Sequence, residues 1–401
     1  MADLPKRIRN LTPEQRELLR RRLRQNPDRS ARFPHEFSSI SAHGGASEPA
    51  RRRRELAFSL FFFSADSAVM IKSRYQLLLE AARLADRNGF KAVWTPERHF
   101  QAFGGLYPNP AVLSAALAMV TKRVQIRAGS LVLPLHNPVR VAEDWAVVDN
   151  LSGGRVAISF ATGWHQDDFV LAPNAYEDRR ELMFRNLLTV RRLWAGEQVE
   201  LPGVGGKKTL VRTLPRPIQP ELPCWVTVTS PPTWRRAGEL GANVLTALGL
   251  GTIEDLGKNI SSYRLARREN GHDPRTGIVS LMLHTYLDTD LEVTKAKVRE
   301  PLKRYLQSFI NQFRPLMGDA PGNLTSLEIQ NLLNLAFERY FDHNSLLGTP
   351  PKCAAMMEKV TMVGVNEVAC LVDFGLDLQT TLESLDRLIE LRRQFQPKTV
   401  R

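Results

Sequence analysis

The chain has 401 residues, 43% hydrophobic and 24% charged, with a net charge of +13. That length suffices for one large domain with a sizeable core, or for two, and the composition is ordinary for a soluble globular enzyme. The longest apolar runs, Leu56 to Phe63 and Ala111 to Val120, are too short to span a bilayer, the N-terminus carries no apolar secretory region, and three scattered cysteines (Cys224, Cys353, Cys370) lack metal-type spacing. These features predict a cytoplasmic protein with free buried thiols, no membrane anchor and no metal.

The charge is concentrated at one end. Residues 1–54 hold 14 Lys or Arg against 6 Asp or Glu. Thr12-Pro13-Glu14-Gln15 followed by Leu18, Leu19 and Leu23 predicts a short capped helix, and Asn26 to Arg54 reads as a linker rich in Ser, Gly, Pro and Arg. The run Arg51 to Arg54 has no interleaved aromatic residue for base stacking, so it reads as a solvated linker and no nucleic acid is expected as partner.

From residue 55 the texture is that of a parallel sheet. Leu56 to Phe63 is a near-continuous apolar run, as in a strand buried on both faces, and an amphipathic helix pattern from Tyr75 to Asn88 stops at Gly89. Further strand-like runs fall at Ala92–Thr95, Val124–Leu133, Val156–Phe160, Cys224–Thr229, Asn243–Ala247, Ile278–Tyr286 and Glu367–Leu371. Eight such runs, mostly separated by helical patterns, predict an α/β fold: a (β/α)8 TIM barrel over residues 55–401, preceded by the 1–54 leader. Long connections at Thr95–Pro110, 196–220 and 317–349 are expected to cover the C-terminal face, where barrel active sites lie.

Four constellations fall where that face would be. Glu97-Arg98-His99-Phe100 follows the second strand, where a Glu, an Arg and a His suit acid/base work or anion binding, or form a surface charge cluster. Ala128-Gly129-Ser130, in the third strand, leaves room for a flat ligand against the backbone, or marks a bulge or close strand packing. Thr162-Gly163-Trp164-His165 ends the fourth strand and offers a stacking surface and hydrogen bonds, or a structural Trp and an exposed His. Thr229-Ser230-Pro231-Pro232-Thr233 precedes a helix expected to start near Trp234. Its hydroxyls suit a phosphate, or simple capping, and the two prolines remove two amides. Gly203 to Lys208 lacks the spacing and the strand–helix context of a phosphate-binding P-loop.

Several segments together resemble the bacterial luciferase-type flavin monooxygenases. They are Trp94 to Pro110, with Glu97-Arg98-His99-Phe100, Phe103-Gly104 and Asn109-Pro110; Gly129 to Phe169, with Val132-Leu133-Pro134, Asn137-Pro138, Asp149 to Arg155 and Asp168-Phe169; and Leu347-Gly348-Thr349-Pro350 through Val363-Gly364-Val365. The likeness runs in order over about residues 55–395. Trp94–Asn109, Trp145–Arg155 and Arg212–Pro220 are most similar to members found in or beside polyketide and non-ribosomal peptide assembly lines, and the segment Leu11 to Leu23 resembles short linker helices of such synthetases.

The resemblance implies reduced FMN, supplied by a separate flavin reductase, with O2 as co-substrate. It implies C- or N-hydroxylation of a natural-product intermediate, free or bound to a carrier protein, through a flavin C4a-(hydro)peroxide. Arg180, Thr229, Ser230 and Thr233 match positions that bind the FMN phosphate. Ala128, Gly129 and Ser130 match the strand lying against the isoalloxazine, and Thr162 and Trp164 match flavin contacts. Luciferases usually show Glu-His-His-Phe where this chain has Arg98, and an arginine where Thr162 stands, so light emission and an aldehyde substrate are not expected. Catalysis falls to His99, Arg98 and Glu97, with His99 as the proton-transfer group. Family members are often homodimers. Two other readings stay open: an F420-dependent hydride-transfer oxidoreductase on the same barrel, and a non-catalytic flavin-binding docking protein.

Overall fold

The computed structural model describes residues 55–63, 74–249, 251–313 and 326–395. The expected leader with its helix and Arg51–Arg54 run, and residues 317–325 of the expected 317–349 insertion, lie outside the described residues. Eight parallel strands close into a barrel: β1 (Ala57–Phe61), β2 (Ala92–Thr95), β3 (Gln125–Val132), β4 (Val156–Ala161), then β7 (Cys224–Thr227), β8 (Asn243–Ala247), β9 (Val279–Leu287) and β11 (Glu367–Leu371). The ring closes where β11 pairs with β1, Ala57 opposite Glu367 and Phe61 opposite Leu371. All eight coincide with the apolar runs of the sequence to within a few residues at each end. Two elements escaped that pattern: an antiparallel hairpin, β5 (Val199–Pro202) with β6 (Lys208–Val211), inside the 196–220 connection, and β10 (Leu346–Gly348), which adds to the edge of β9.

Helices surround the barrel: α1 (Gln76–Arg87), α2 (Pro110–Val120), α3 (Pro138–Ser152), α4 (Arg179–Ala195), α5 (Pro231–Glu239), α6 (Ile253–Glu269), α7 (Leu291–Phe313), α8 (Ser326–His343), α9 (Pro350–Met362) and α10 (Leu378–Arg393). Four of them open on proline, whose fixed φ suits the first helical position and whose missing N–H is not needed there. Hence α5 starts at Pro231, three residues before the position expected from Trp234. Asn109 and Asn137 cap α2 and α3, each side chain accepting from amides of the first turn.

Alternation along the strands divides the core. One set of side chains, with Leu60, Ile126, Ala128, Ile158, Val226 and Leu283, faces the helices. The other, with Phe61, Trp94, Ala157, Trp225, Leu245 and Leu371, fills the barrel, and continues into Tyr305, Leu306, Phe337 and Phe341 of α7 and α8, which cover its mouth. Low in the interior Arg127, fully buried, donates from Nη1 to both carboxylate oxygens of Glu367 at 2.9 Å. Its guanidinium lies against the rings of Trp94 (4.6 Å) and Trp225 (4.3 Å). Ser59 and the Trp94 indole N–H complete the Glu367 shell at 2.7 and 3.3 Å. The barrel floor is therefore a closed ionic plug.

Candidate active site

Most of the sequence-selected residues lie at or beyond the C-terminal ends of β2, β4 and β7, on the end of the barrel that α7 and α8 cover, while Ala128, Gly129 and Ser130 lie within β3. Glu97 is the most elaborately held. Its Oε2 accepts from the Val132 amide at 2.6 Å, and its Oε1 meets His99 Nε2 at 3.0 Å and His136 Nε2 at 2.6 Å. Burial pulls the carboxyl upward, but His136, His99 and the amide outweigh it and hold it below its ordinary value. His136 answers in kind: burial lowers it, and the Glu97 carboxylate more than restores it, so it sits above an ordinary histidine. Sequence reasoning missed His136, which stands 39 positions after Glu97, at the end of the short turn Leu133–Leu135.

Arg98 is 4% exposed and its guanidinium lies 5.0 Å from the Trp164 ring, 5.4 Å from Phe63 and 5.8 Å from Phe103. Burial lowers its proton affinity, while Asp168 and Tyr305 oppose that. Asp168 is itself raised by burial, against the pull of Arg98 and His165. Gly104, at φ +84°, faces the Arg98 stem, and a Cβ there would lie 2.7 Å from its Cγ, so the loop after β2 closes over this arginine only with glycine at that point. The far wall is aromatic. The ring of His284 on β9 lies 4.5 Å from Tyr305 and 5.5 Å from Tyr340 and Phe374, its Nε2 has no hydrogen-bond partner, and burial pushes its imidazole down to about 3. Burial thus favours its neutral form, and nothing in the local sequence pattern marks it.

The opposite side, formed by β3, β4 and β7, is small and hydroxylated. Ser130 Oγ bonds Thr227 Oγ1, which also lies 2.8 Å from Ser159 Oγ. Ser130, Ala161, Thr162 and Thr227 stay half-buried where the surrounding interior is sealed. The β3–β4 register shifts between Gly129 and Leu131, and the Gly129–Ser130 peptide is cis. Gly129 itself is tightly packed: a Cβ there would fall 2.8 Å from Phe61 and 3.0 Å from Trp94. Ala128 faces the helix layer. Beyond this wall, Ser230 stands at the N-cap position of α5 without a side-chain bond to the helix amides, its hydroxyl 3.0 Å from that of Thr233; Thr229 is exposed, and Arg180 is exposed in the first turn of α4. Phe184 of α4, one turn beyond Arg180, lies 5.3 Å from the Arg236 guanidinium of α5, so the two helices carrying these residues are neighbours.

The luciferase-like monooxygenase family model matches residues 56–367. The chain belongs to that family. Among its relatives is the oxygenase component of a flavin-dependent trigonelline monooxygenase of Acinetobacter baylyi, 26% identical over 326 residues, spanning 79% of this chain and 89% of that one. The fold is shared with monooxygenase RslO1 from Streptomyces bottropensis (TM-score 0.71, 23% identity, 84% of this chain and 98% of that one). It is shared too with the oxygenating constituent of 3,6-diketocamphane monooxygenase of Pseudomonas putida in complex with FMN (0.68, 17%, 84% and 97%). An F420-dependent secondary alcohol dehydrogenase has the same barrel (0.66, 19%, 86% and 100%). This luciferase-like enzyme thus shares its barrel with both monooxygenases and an F420-dependent dehydrogenase. No described helix is long and apolar enough to cross a membrane.

Proposed function

We propose that the protein is the oxygenase of a two-component system, taking reduced FMN from a flavin reductase and using O2 to hydroxylate carbon or nitrogen of a natural-product intermediate, free or carrier-bound. The observation that carries this reading is the division of the barrel mouth. A small, hydroxylated, half-open wall on β3, β4 and β7 faces a wall of aromatic rings, and the Glu97–His99 pair and Arg98 stand at the same end of the barrel.

The open wall fits a flat polar ring. Ser130, Thr162 and the Trp164 face would border an isoalloxazine, with the backbone of Ala128 and Gly129 behind it. Thr229, Ser230, Thr233 and Arg180 would hold its phosphate through hydroxyls and one guanidinium, since Pro231 and Pro232 offer no amides. Reduced flavin with O2 supplies the oxygenating power when bound. The chain's own residues do the rest: α7 and α8 exclude water, Arg98 holds an anionic group of the substrate, and His99, oriented by Glu97, gives or takes a proton. The named relative, an oxygenase component, supports a partner reductase.

Arg180→Ala is expected to weaken FMN binding about tenfold with turnover at saturating flavin little changed. His99→Ala should leave FMN binding near wild type and lower turnover by about a hundredfold or more. Equal loss of both properties in both variants would sink these assignments. The F420-type neighbour keeps a hydride-transfer reading alive, which requires reaction without O2. A docking protein would bind FMN with no O2-dependent product. Val112 and Met119 of α2 and Val147 and Leu151 of α3 are exposed apolar side chains on packed neighbouring helices, and they support association as a homodimer.

A further inference from the structure

The Glu97 carboxylate is shared in an unequal way. Its Oε2 is fixed by the Val132 amide at 2.6 Å, so the group cannot turn, and both imidazoles compete for Oε1. His136 holds that oxygen at 2.6 Å and His99 at 3.0 Å. The two histidines also differ in access to water, the His136 side chain being 32% exposed and that of His99 9%. We propose that His136 is a positioning residue that sets the protonation of His99 by competing with it for one oxygen of Glu97. This rests on the reading of His99 as the proton-transfer group.

The physics is that of one negative charge between two titratable rings. While His136 is protonated it neutralises Glu97, and His99 meets a compensated carboxylate. When His136 gives its proton to water through its exposed edge, the whole carboxylate charge falls on His99 and favours its protonated form. The outer ring thus reads solvent pH and passes the result inward, although it need never touch substrate. The other charged groups around the triad are Asp144 of α3, which faces His136, and Asp168, Arg98 and His165 across the mouth. Asp168 also acts on His99 and Glu97 through its charge, and the shared hydrogen-bond acceptor Oε1 couples the two imidazoles on top of that field.

The test is histidine NMR on the full chain, labelled at the eight imidazole Cε1 positions, without flavin. In His136→Gln, an amide still reaches Oε1 but cannot titrate, and the His99 midpoint is expected to rise by about one unit or more. In the wild-type chain the His99 signal should show a second inflection at the His136 midpoint, which needs no variant to fold. An unmoved His99 midpoint in His136→Gln, or a wild-type His99 signal blind to the His136 titration, overturns the proposal. These readings are independent of catalysis. Unlinked titrations beside a damaged His99→Ala enzyme would leave the proposed function standing, whereas linked titrations in a chain that does not bind FMN would remove that function and keep the linkage.

Discussion

A carboxylate buried between the ends of β2 and β3 is tolerable because three donors meet it, and Glu97 has an amide and two imidazoles. The pH dependence follows from the signs of the shifts. Glu97 is held below its ordinary value, so its contribution is present above the unfolded carboxylate range and is lost as pH falls through its lower folded value. His136 is raised, so its contribution is full below the unfolded histidine value and is lost as pH rises through its higher folded value. The pair therefore stabilises most between about pH 4.3 and 6.5. Replacing His136 by Ala should cost about 1 kcal/mol near pH 5.5, water at its exposed edge weakening the bond, and less at pH 9. Urea unfolding of both proteins across that range checks it, and a difference that is constant with pH would contradict the assignment. His99 and Glu97 were legible in the sequence because they sit in one short motif. His136 was not, because a hydrogen bond spanning 39 positions leaves no local pattern, and His284 was hidden inside an ordinary apolar strand.

At the level of strands and helices, the barrel was legible because a parallel strand covered on both faces must be apolar at nearly every position. The hairpin β5–β6 is mostly exposed and carries Glu200, Lys207 and Lys208, and β10 has three residues, so neither produces such a run. Arg127 of β3 and Glu367 of β11 are 240 positions apart and pair inside the ring, a contact no sequence window contains. Glu367→Gln leaves a guanidinium buried between two tryptophans without its countercharge, and should cost about 3–5 kcal/mol. Arg140→Ala, which removes an exposed cation paired with Glu143 and Asp144 on α3, should cost under about 1 kcal/mol. Chemical unfolding of the two variants side by side settles the ranking, and equal losses would show that the plug does not act as an ionic unit.

For the molecule as a whole, the exposed apolar side chains of α2 and α3 bear on assembly. Met119 is 71% exposed and Val112 65%. On the proposed homodimer, Met119→Glu is expected to give a monomer in sedimentation velocity without harming the fold, and an unchanged dimer mass would place the interface elsewhere. We propose for the whole molecule that the barrel mouth is an FMN-dependent oxygenation site. Its most direct measurement is oxygen uptake by the purified chain with FMN, a flavin reductase and NADH, together with FMN binding. The chain is expected to bind FMN, and candidate substrates are expected to gain about 16 Da, the mass of one oxygen atom, only when O2 is present. A chain that binds no FMN, or that transforms substrate equally well without oxygen, would contradict it.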